Sequence, residues 1–271
     1  MRVVFWCDME GVGGITKWDQ VMAGAAQYEE GRRLYTEEIN AAVRGAKKAG
    51  YKEIIVVDGH GAGGDYSFNS LIKDKLESGA EYVFGYRWGC YVEPLKSGCD
   101  AMLLPGAHAM AGTADGILCH TMSSQNFYNA YINGKAVGES GIVAAIAASF
   151  NVPTIFASGD EATCREVRDL LGKQVYCAQV KQSLNRFAAR CLAPHDACAL
   201  IEKTVHQALK NPKSWPKPLK LKLPVELKIE LSNPEKSNDF IGRVGCEIVD
   251  PRTIVCRGKN FWEVWNNFWY Q

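Results

Sequence analysis

The sequence predicts an α/β protein, with a mostly parallel central sheet, helices on both faces and a small C-terminal α+β subdomain. Three observations carry that expectation. Apolar, β-type runs alternate with helical segments through the first two thirds of the chain. The apolar runs end in glycine-rich turns that carry polar residues, as strand ends do at an open α/β rim. After residue 211 the pattern changes to proline and lysine, then to alternating strands and an aromatic tail. The expected division is therefore 1–211 for the α/β unit and 212–271 for the subdomain.

The elements follow in order. RVVFWCD (2–8) reads as a buried strand. Residues 28–50 read as a helix closed by Gly50, which suits the position just past a helix end. KEIIVVDGHGAGG (52–64) is a second strand that runs into a glycine-rich loop, and 80–86 and 100–109 look like further strands. GESGIVAAIAASFN (138–151) is a small-residue helix, VPTIFASGD (152–160) a strand, 160–171 a helix, 174–182 a strand and 194–210 a helix. The Pro/Lys segment 210–224 reads as a linker into an edge strand, where such residues discourage aggregation. VELKIELS (225–232) alternates like a half-exposed strand, and CEIVDPRTIVC (246–256) resembles two short strands around a proline turn. Phe261, Trp262, Trp265, Phe268 and Trp269 form one helical stripe, read first as core packing and second as a subunit interface.

Composition narrows the function classes. The 271 residues are 47% hydrophobic and 23% charged, enough to build a sizeable core. The net charge of +1 gives no reason to expect a nucleic-acid partner, since such proteins carry a basic excess or stripe. No apolar run reaches the roughly 18 residues a membrane span needs. None of the ten cysteines forms C-x-x-C, and Cys7, Cys119 and Cys177 lie in apolar runs, so free thiols in a reducing cytoplasm are expected.

Metal-type residues gather at the strand ends. Asp8 and Glu10 follow the first strand one residue apart, and on an extended backbone they would share a face. Two carboxylates held that close raise each other's pKa unless a cation sits between them. His60 and His108 end two other strands, His120 sits in GILCHTMSS, and Glu139 opens a helix, where a carboxylate also suits the helix dipole. His195 and His206, on a polar helix, read as surface residues. Singly, each strand-end residue is more simply structural. Together they supply imidazoles and carboxylates that a pair of ions sharing a bridging carboxylate would use well.

The segments DMEG (8–11), DGHG (58–61), GAHAMAGT (106–113), GILCHTM (116–122), YINGKAVGESG (131–141) and VKQSLNR (180–186) come in the order and spacing of a known family. The chain resembles the zinc-dependent D-aminopeptidases of the bacterial dipeptide-transport type. The resemblance implies two Zn²⁺ per subunit, with Asp8 bridging, Glu10 and His60 completing one site, and His108 and Glu139 the other. It implies that His120 is the catalytic histidine, that the substrate is a short peptide with an N-terminal D-residue, and that subunits assemble into a ring-like homo-oligomer. It gives no role to Lys181. The GHGAGGD loop (59–65) and the aromatic C-terminal helix depart from the pattern, and these departures bear on substrate choice and assembly. Two other readings stay open on the residues alone: another two-metal hydrolase, such as a phosphoesterase or amidohydrolase, and a non-catalytic metal-binding assembly protein.

Overall fold

The computed structural model describes residues 1–64, 67–85 and 92–269. Asp65 of the glycine-rich loop, Tyr86 at the end of the third expected strand, and the last two residues of the aromatic tail lie outside them. Among the described residues, seven strands form the main sheet: β1 (Arg2–Cys7), β2 (Glu53–Asp58), β3 (Glu81–Val83), β4 (Ala101–Leu104), β7 (Thr154–Asp160), β8 (Tyr176–Asn185) and β9 (Ala188–Cys191). Their spatial order is β3-β2-β1-β4-β7-β8-β9, parallel throughout except for β9, which returns antiparallel to β8. The central strand β1 shows why its sequence is apolar without alternation. Val3, Phe5 and Cys7 enter one core, Val4 and Trp6 the other, and all five are buried.

Helix α1 (Tyr28–Lys48) connects β1 to β2 and packs against α5 (Pro194–Lys210) on the first face. Glu29 and Glu30 in its first turn and Lys47 and Lys48 in its last complement the helix dipole. The other face carries the short α2 (Glu93–Lys96), α3 (Glu139–Ser149) and α4 (Glu161–Leu171). Because β1 turns back through α1 while β4 leads toward α3, the chain reverses direction between β1 and β4. In open α/β sheets, ligand crevices form at that switch point, outside the carboxyl ends of the strands.

A second, antiparallel sheet has the order β11-β12-β10-β5-β6, from β5 (Phe127–Ile132), β6 (Lys135–Val137), β10 (Val225–Leu231), β11 (Cys246–Asp250) and β12 (Thr253–Gly258). The hairpin β5–β6 comes from mid-chain, between the main-sheet strands β4 and β7. Strand β10 has the half-exposed alternation its sequence predicts, but it is central, not an edge. Its outward Lys228 lies over the Tyr131 ring at 4.0 Å and pairs with Glu230 at 2.9 Å, so lysine here packs laterally rather than blunting an edge. The free-thiol expectation needs one correction. Cys246 and Cys256 face each other on β11 and β12 and form a disulfide, because the Pro251 turn brings them into register.

The aromatic tail forms α6 (Phe261–Trp269), whose Phe261, Val264, Trp265 and Phe268 are buried in the core shared by α3, the main sheet and β10. Core packing is thus the role of the stripe's inner face. Trp265 is completely buried, so Trp265→Ala is expected to lower the free energy of unfolding by about 3–5 kcal/mol in urea titrations. A loss below about 1 kcal/mol would mean that α6 is not part of this core.

Candidate metal centre

Four loops at the carboxyl rim build the site. β1 ends at Cys7, and a tight turn, not a continuing strand, then brings Asp8 and Glu10 together. This corrects the shared-strand-face expectation. The turn is clamped onto the loop after β4: Asp8 N–H donates to the Pro105 carbonyl at 3.0 Å and Gly11 N–H to the Gly106 carbonyl at 2.9 Å. Only glycine fits at both contact points. A Cβ on Gly11 would stand 1.9 Å from the Ala107 carbonyl oxygen, and Gly106 has φ +77° with its Cβ position 1.9 Å from the Asp8 carbonyl oxygen.

His60 follows β2, in a loop pinned by buried Asp58. Asp58 Oδ2 accepts the N–H groups of Ser70 at 2.6 Å and Leu71 at 2.9 Å, and Tyr35 donates its hydroxyl to Oδ1 at 3.2 Å. Asp160 does the same for the loop carrying His120: its Oδ2 accepts Ile117 N–H at 2.7 Å, while its Oδ1 caps α4 through Thr163 N–H at 2.8 Å. Glu166 takes Met110 N–H at 3.0 Å and the Thr113 hydroxyl at 2.5 Å. Glu139 is delivered as the first residue of α3, directly after the β5–β6 hairpin.

All six singled-out residues converge. His108 Nε2 lies 3.3 Å from Asp8 Oδ2 and 3.1 Å from Glu139 Oε1. His120 Nε2 is 3.6 Å from Glu139 Oε1, and His60 Nε2 is 3.5 Å from Glu10 Oε1. Two donor groups suited to a metal ion emerge, Asp8/Glu10/His108 and His108/His120/Glu139, sharing His108. His195 stands apart: it is exposed and faces Asp196.

Backbone carbonyls set the tautomers of two imidazoles. His108 Nδ1 donates to the Ala109 carbonyl and His120 Nδ1 to the Leu118 carbonyl, each at 2.9 Å. Both Nε2 lone pairs are therefore directed into the site. The two rings stack with centroids 4.1 Å apart, and Trp18 meets His120 edge-on at 5.4 Å. Burial and the Glu10 carboxylate push the Asp8 carboxyl well up. Burial opposes ionisation of Glu10, yet His60 holds it well below the usual carboxylate range. Burial likewise disfavours charge on His108, but Glu139, Asp8 and Glu10 together outweigh it and raise the imidazole, whereas burial and His108 together lower His120. Glu10 Oε2 is buried with no hydrogen-bond partner among the described residues. Such an oxygen suits a role as a cation ligand.

Sequence reasoning left Lys181 without a role. Its Nζ, fully buried, donates to the carbonyls of Glu10 at 2.6 Å, Val12 at 2.8 Å and Ile15 at 2.7 Å, and so ties the whole turn after β1 to β8. A register irregularity that pairs Asp160 with Lys181 turns this side chain inward next to the equally buried Val180. The available signal was a lysine inside a strand run. Glu38, on α1, completes the anchor by accepting Gly13 N–H at 2.8 Å.

A doubly wound α/β scaffold with a buried histidine–carboxylate cluster at its switch point defines a candidate metal-dependent enzyme. The model of the D-aminopeptidase family matches residues 1–270. The D-aminopeptidase of Bacillus subtilis (strain 168) is 34% identical over 236 residues, 86% of this chain and 82% of that protein. The solved structure of the Zn-dependent D-aminopeptidase DppA from Bacillus subtilis, a self-compartmentalizing protease, superposes with a TM-score of 0.89 at 30% identity, covering 99% of this chain and 95% of that one. The chain belongs to the D-aminopeptidase family.

Two predictions concern the anchors. Lys181→Met leaves three buried carbonyls without their donor and is expected to lower the free energy of unfolding by about 3 kcal/mol in urea titrations; a neutral outcome would remove Lys181 from the anchor. Burial raises Glu38 to about 7. A carboxyl whose pKa is higher when folded than unfolded destabilises the fold progressively as pH rises from its unfolded value through the folded one. Between pH 5 and pH 7.5 the parent should thus lose up to about 3 kcal/mol that Glu38→Gln does not lose, measured as the difference between their urea-unfolding free energies. Parallel pH curves for the two proteins would refute the shift.

Proposed function

We propose that this chain is an aminopeptidase that removes an N-terminal D-residue from short peptides at a two-zinc centre. Asp8 would bridge the ions, Glu10 and His60 would hold one, and His108 and Glu139 the other. The observation that carries this reading is the donor spacing. Donors on a tetrahedral zinc at 2.0–2.1 Å lie about 3.3 Å from one another, and the three imidazole–carboxylate pairs that would share an ion are separated by 3.1–3.5 Å. The donor chemistry agrees: oxygen and imidazole nitrogen, oriented by backbone carbonyls, with an orphaned Glu10 oxygen among them.

When bound, the ions would polarise the scissile carbonyl and acidify a water molecule. The protein's own residues do the rest. His120 is not needed as a ligand in this scheme. Its Nδ1 is fixed on the Leu118 carbonyl, so its Nε2 can take a proton and, once protonated, pass it to the leaving amine or donate to the developing oxyanion. The lowered His120 pKa keeps the ring neutral, so it can receive that proton. Trp18, edge-on to the ring, restricts its rotation and helps exclude water.

Self-association into a ring-like homo-oligomer is part of the same reading, supported by the self-compartmentalizing relative, and we place its work in the cytoplasm. Seven of the described cysteines are free against one disulfide pair, and no helix of the described residues is long and apolar enough to cross a membrane.

His120→Ala should retain its zinc while kcat on D-Ala dipeptides falls about 10²–10⁴-fold. Asp8→Ala should instead lose most of the bound zinc from both positions, read by metal analysis of the purified protein. Full zinc loading in the Asp8 variant would rule out bridging, and unchanged turnover in the His120 variant would take that residue out of the reaction.

A further inference from the structure

Beside His120 the surface opens into a cleft of about 430 Å³, within the range of small-molecule sites. Its wall comes from three places: the loop 111–114 with Cys119 and His120, the second sheet through Phe127, Asn129 and Ser232, and the β8–β9 turn through Arg186. Among the described residues lining this cleft there is no aspartate or glutamate, and Arg186 is the only lysine or arginine. The VKQSLNR segment that ends in Arg186 is otherwise used by the metal centre only through Lys181.

Arg186 is held in place but not used up. Its backbone carbonyl accepts Leu118 N–H at 3.0 Å, and its Nη2 donates to the Cys119 carbonyl at 3.0 Å. The guanidinium lies over the faces of Trp18 at 5.9 Å and Phe187 at 5.6 Å. Trp18 in turn packs on His120, so one aromatic ring separates the cation from the proposed proton carrier. Arg186 makes no other side-chain hydrogen bond among the described residues. A guanidinium has five N–H donors, and two in its fork match a carboxylate.

We propose that Arg186 binds the C-terminal carboxylate of the peptide substrate and thereby selects short peptides. This rests on the aminopeptidase reading above. With the scissile carbonyl at the metal centre, the carboxylate of a dipeptide lies one residue, about 3.8 Å of chain, beyond the cleaved bond. With the guanidinium 5.9 Å from the Trp18 ring and that ring 5.4 Å from the His120 ring, a leaving residue of that length in contact with His120 reaches toward the cation. In a longer peptide the next residue brings an uncharged amide to Arg186 and leaves the guanidinium without its counter-charge.

The test compares D-Ala-D-Ala with its C-terminal amide, which differ only at the carboxylate, on the zinc-loaded parent, Arg186→Gln and Arg186→Lys. The parent should prefer the free acid in kcat/KM by about 10- to 100-fold, the size of a charge-assisted pair. Arg186→Gln should lose that preference through KM, with turnover of the amide within about twofold of the parent, and Arg186→Lys should recover part of it. Equal losses on both compounds would show that Arg186 only supports the Cys119 loop, and an unchanged preference in Arg186→Gln would place the carboxylate elsewhere; either overturns the proposal while leaving the peptidase reading intact. A parent that cleaves neither compound would overturn the peptidase reading itself, and the carboxylate anchor with it.

Discussion

The whole rim is organised around one electrostatic problem: three carboxylates and three imidazoles share a small space that water barely reaches. His60 and His108 are almost wholly buried, and the side chains of Asp8, Glu139 and His120 are each less than a fifth exposed. Without a cation the group can only redistribute protons. The directions of the shifts record that compromise, with Asp8 driven toward the neutral acid while His108 is driven toward the imidazolium. Divalent ions remove the conflict at once, because every donor then faces positive charge. Structural economy alone would favour apolar residues at such a position, since buried charge is a poor source of stability. The cluster is therefore best understood as a binding device held in place by the fold.

What holds it is a set of buried polar anchors one step removed from the donors. Asp58 fixes the loop of His60, Asp160 and Glu166 fix the loops of His120 and Met110, and Lys181 with Glu38 fixes the turn of Asp8 and Glu10. Each anchor satisfies backbone groups that a buried irregular loop would otherwise leave unpaired. Loops that deliver ligands must avoid regular structure, and an irregular buried loop needs side chains to replace the missing ladder. A lysine with three carbonyl acceptors does this in a single side chain.

This division explains what could be read from the sequence. The central strands were legible because apolar runs on both faces of a parallel sheet leave few alternatives. The helices over 28–48 and 194–210 were legible through their periodicity. The six converging residues were legible because polar residues at successive strand ends meet in this topology, and because the motif order resembled a family. The anchors were not. Asp58 and Asp160 look like ordinary strand-end residues, and Lys181 turns inward only through a register irregularity that no local pattern announces. The short β9 and the hairpin β5–β6 also escaped. The half-exposed FYNAYI and three-residue KAV pair with each other, and FYNAYI gains its second partner only from β10, nearly a hundred residues later. The Cys246–Cys256 pair was missed for a similar reason, since its register depends on a turn geometry rather than on a spacing.

The non-local pairing of β5 with β10 also shows why the C-terminal segment matters to the rim. Glu139 begins α3 immediately after β6, so its position depends on how the hairpin β5–β6 sits, and that hairpin is ordered by β10. β10 is in turn packed against α6, whose buried Trp265 and Phe268 also reach the core under α3. The aromatic tail thus supports one of the six converging residues from behind, while Phe127, Asn129 and Ser232 present the same sheet to the cleft beside His120. The main sheet places donors at a switch point that α/β folds share widely. The second sheet sets the shape of the space beyond it. Substitutions that preserve the aromatic packing but alter the sheet's cleft-facing residues can therefore change which peptide fits without disturbing the metal centre.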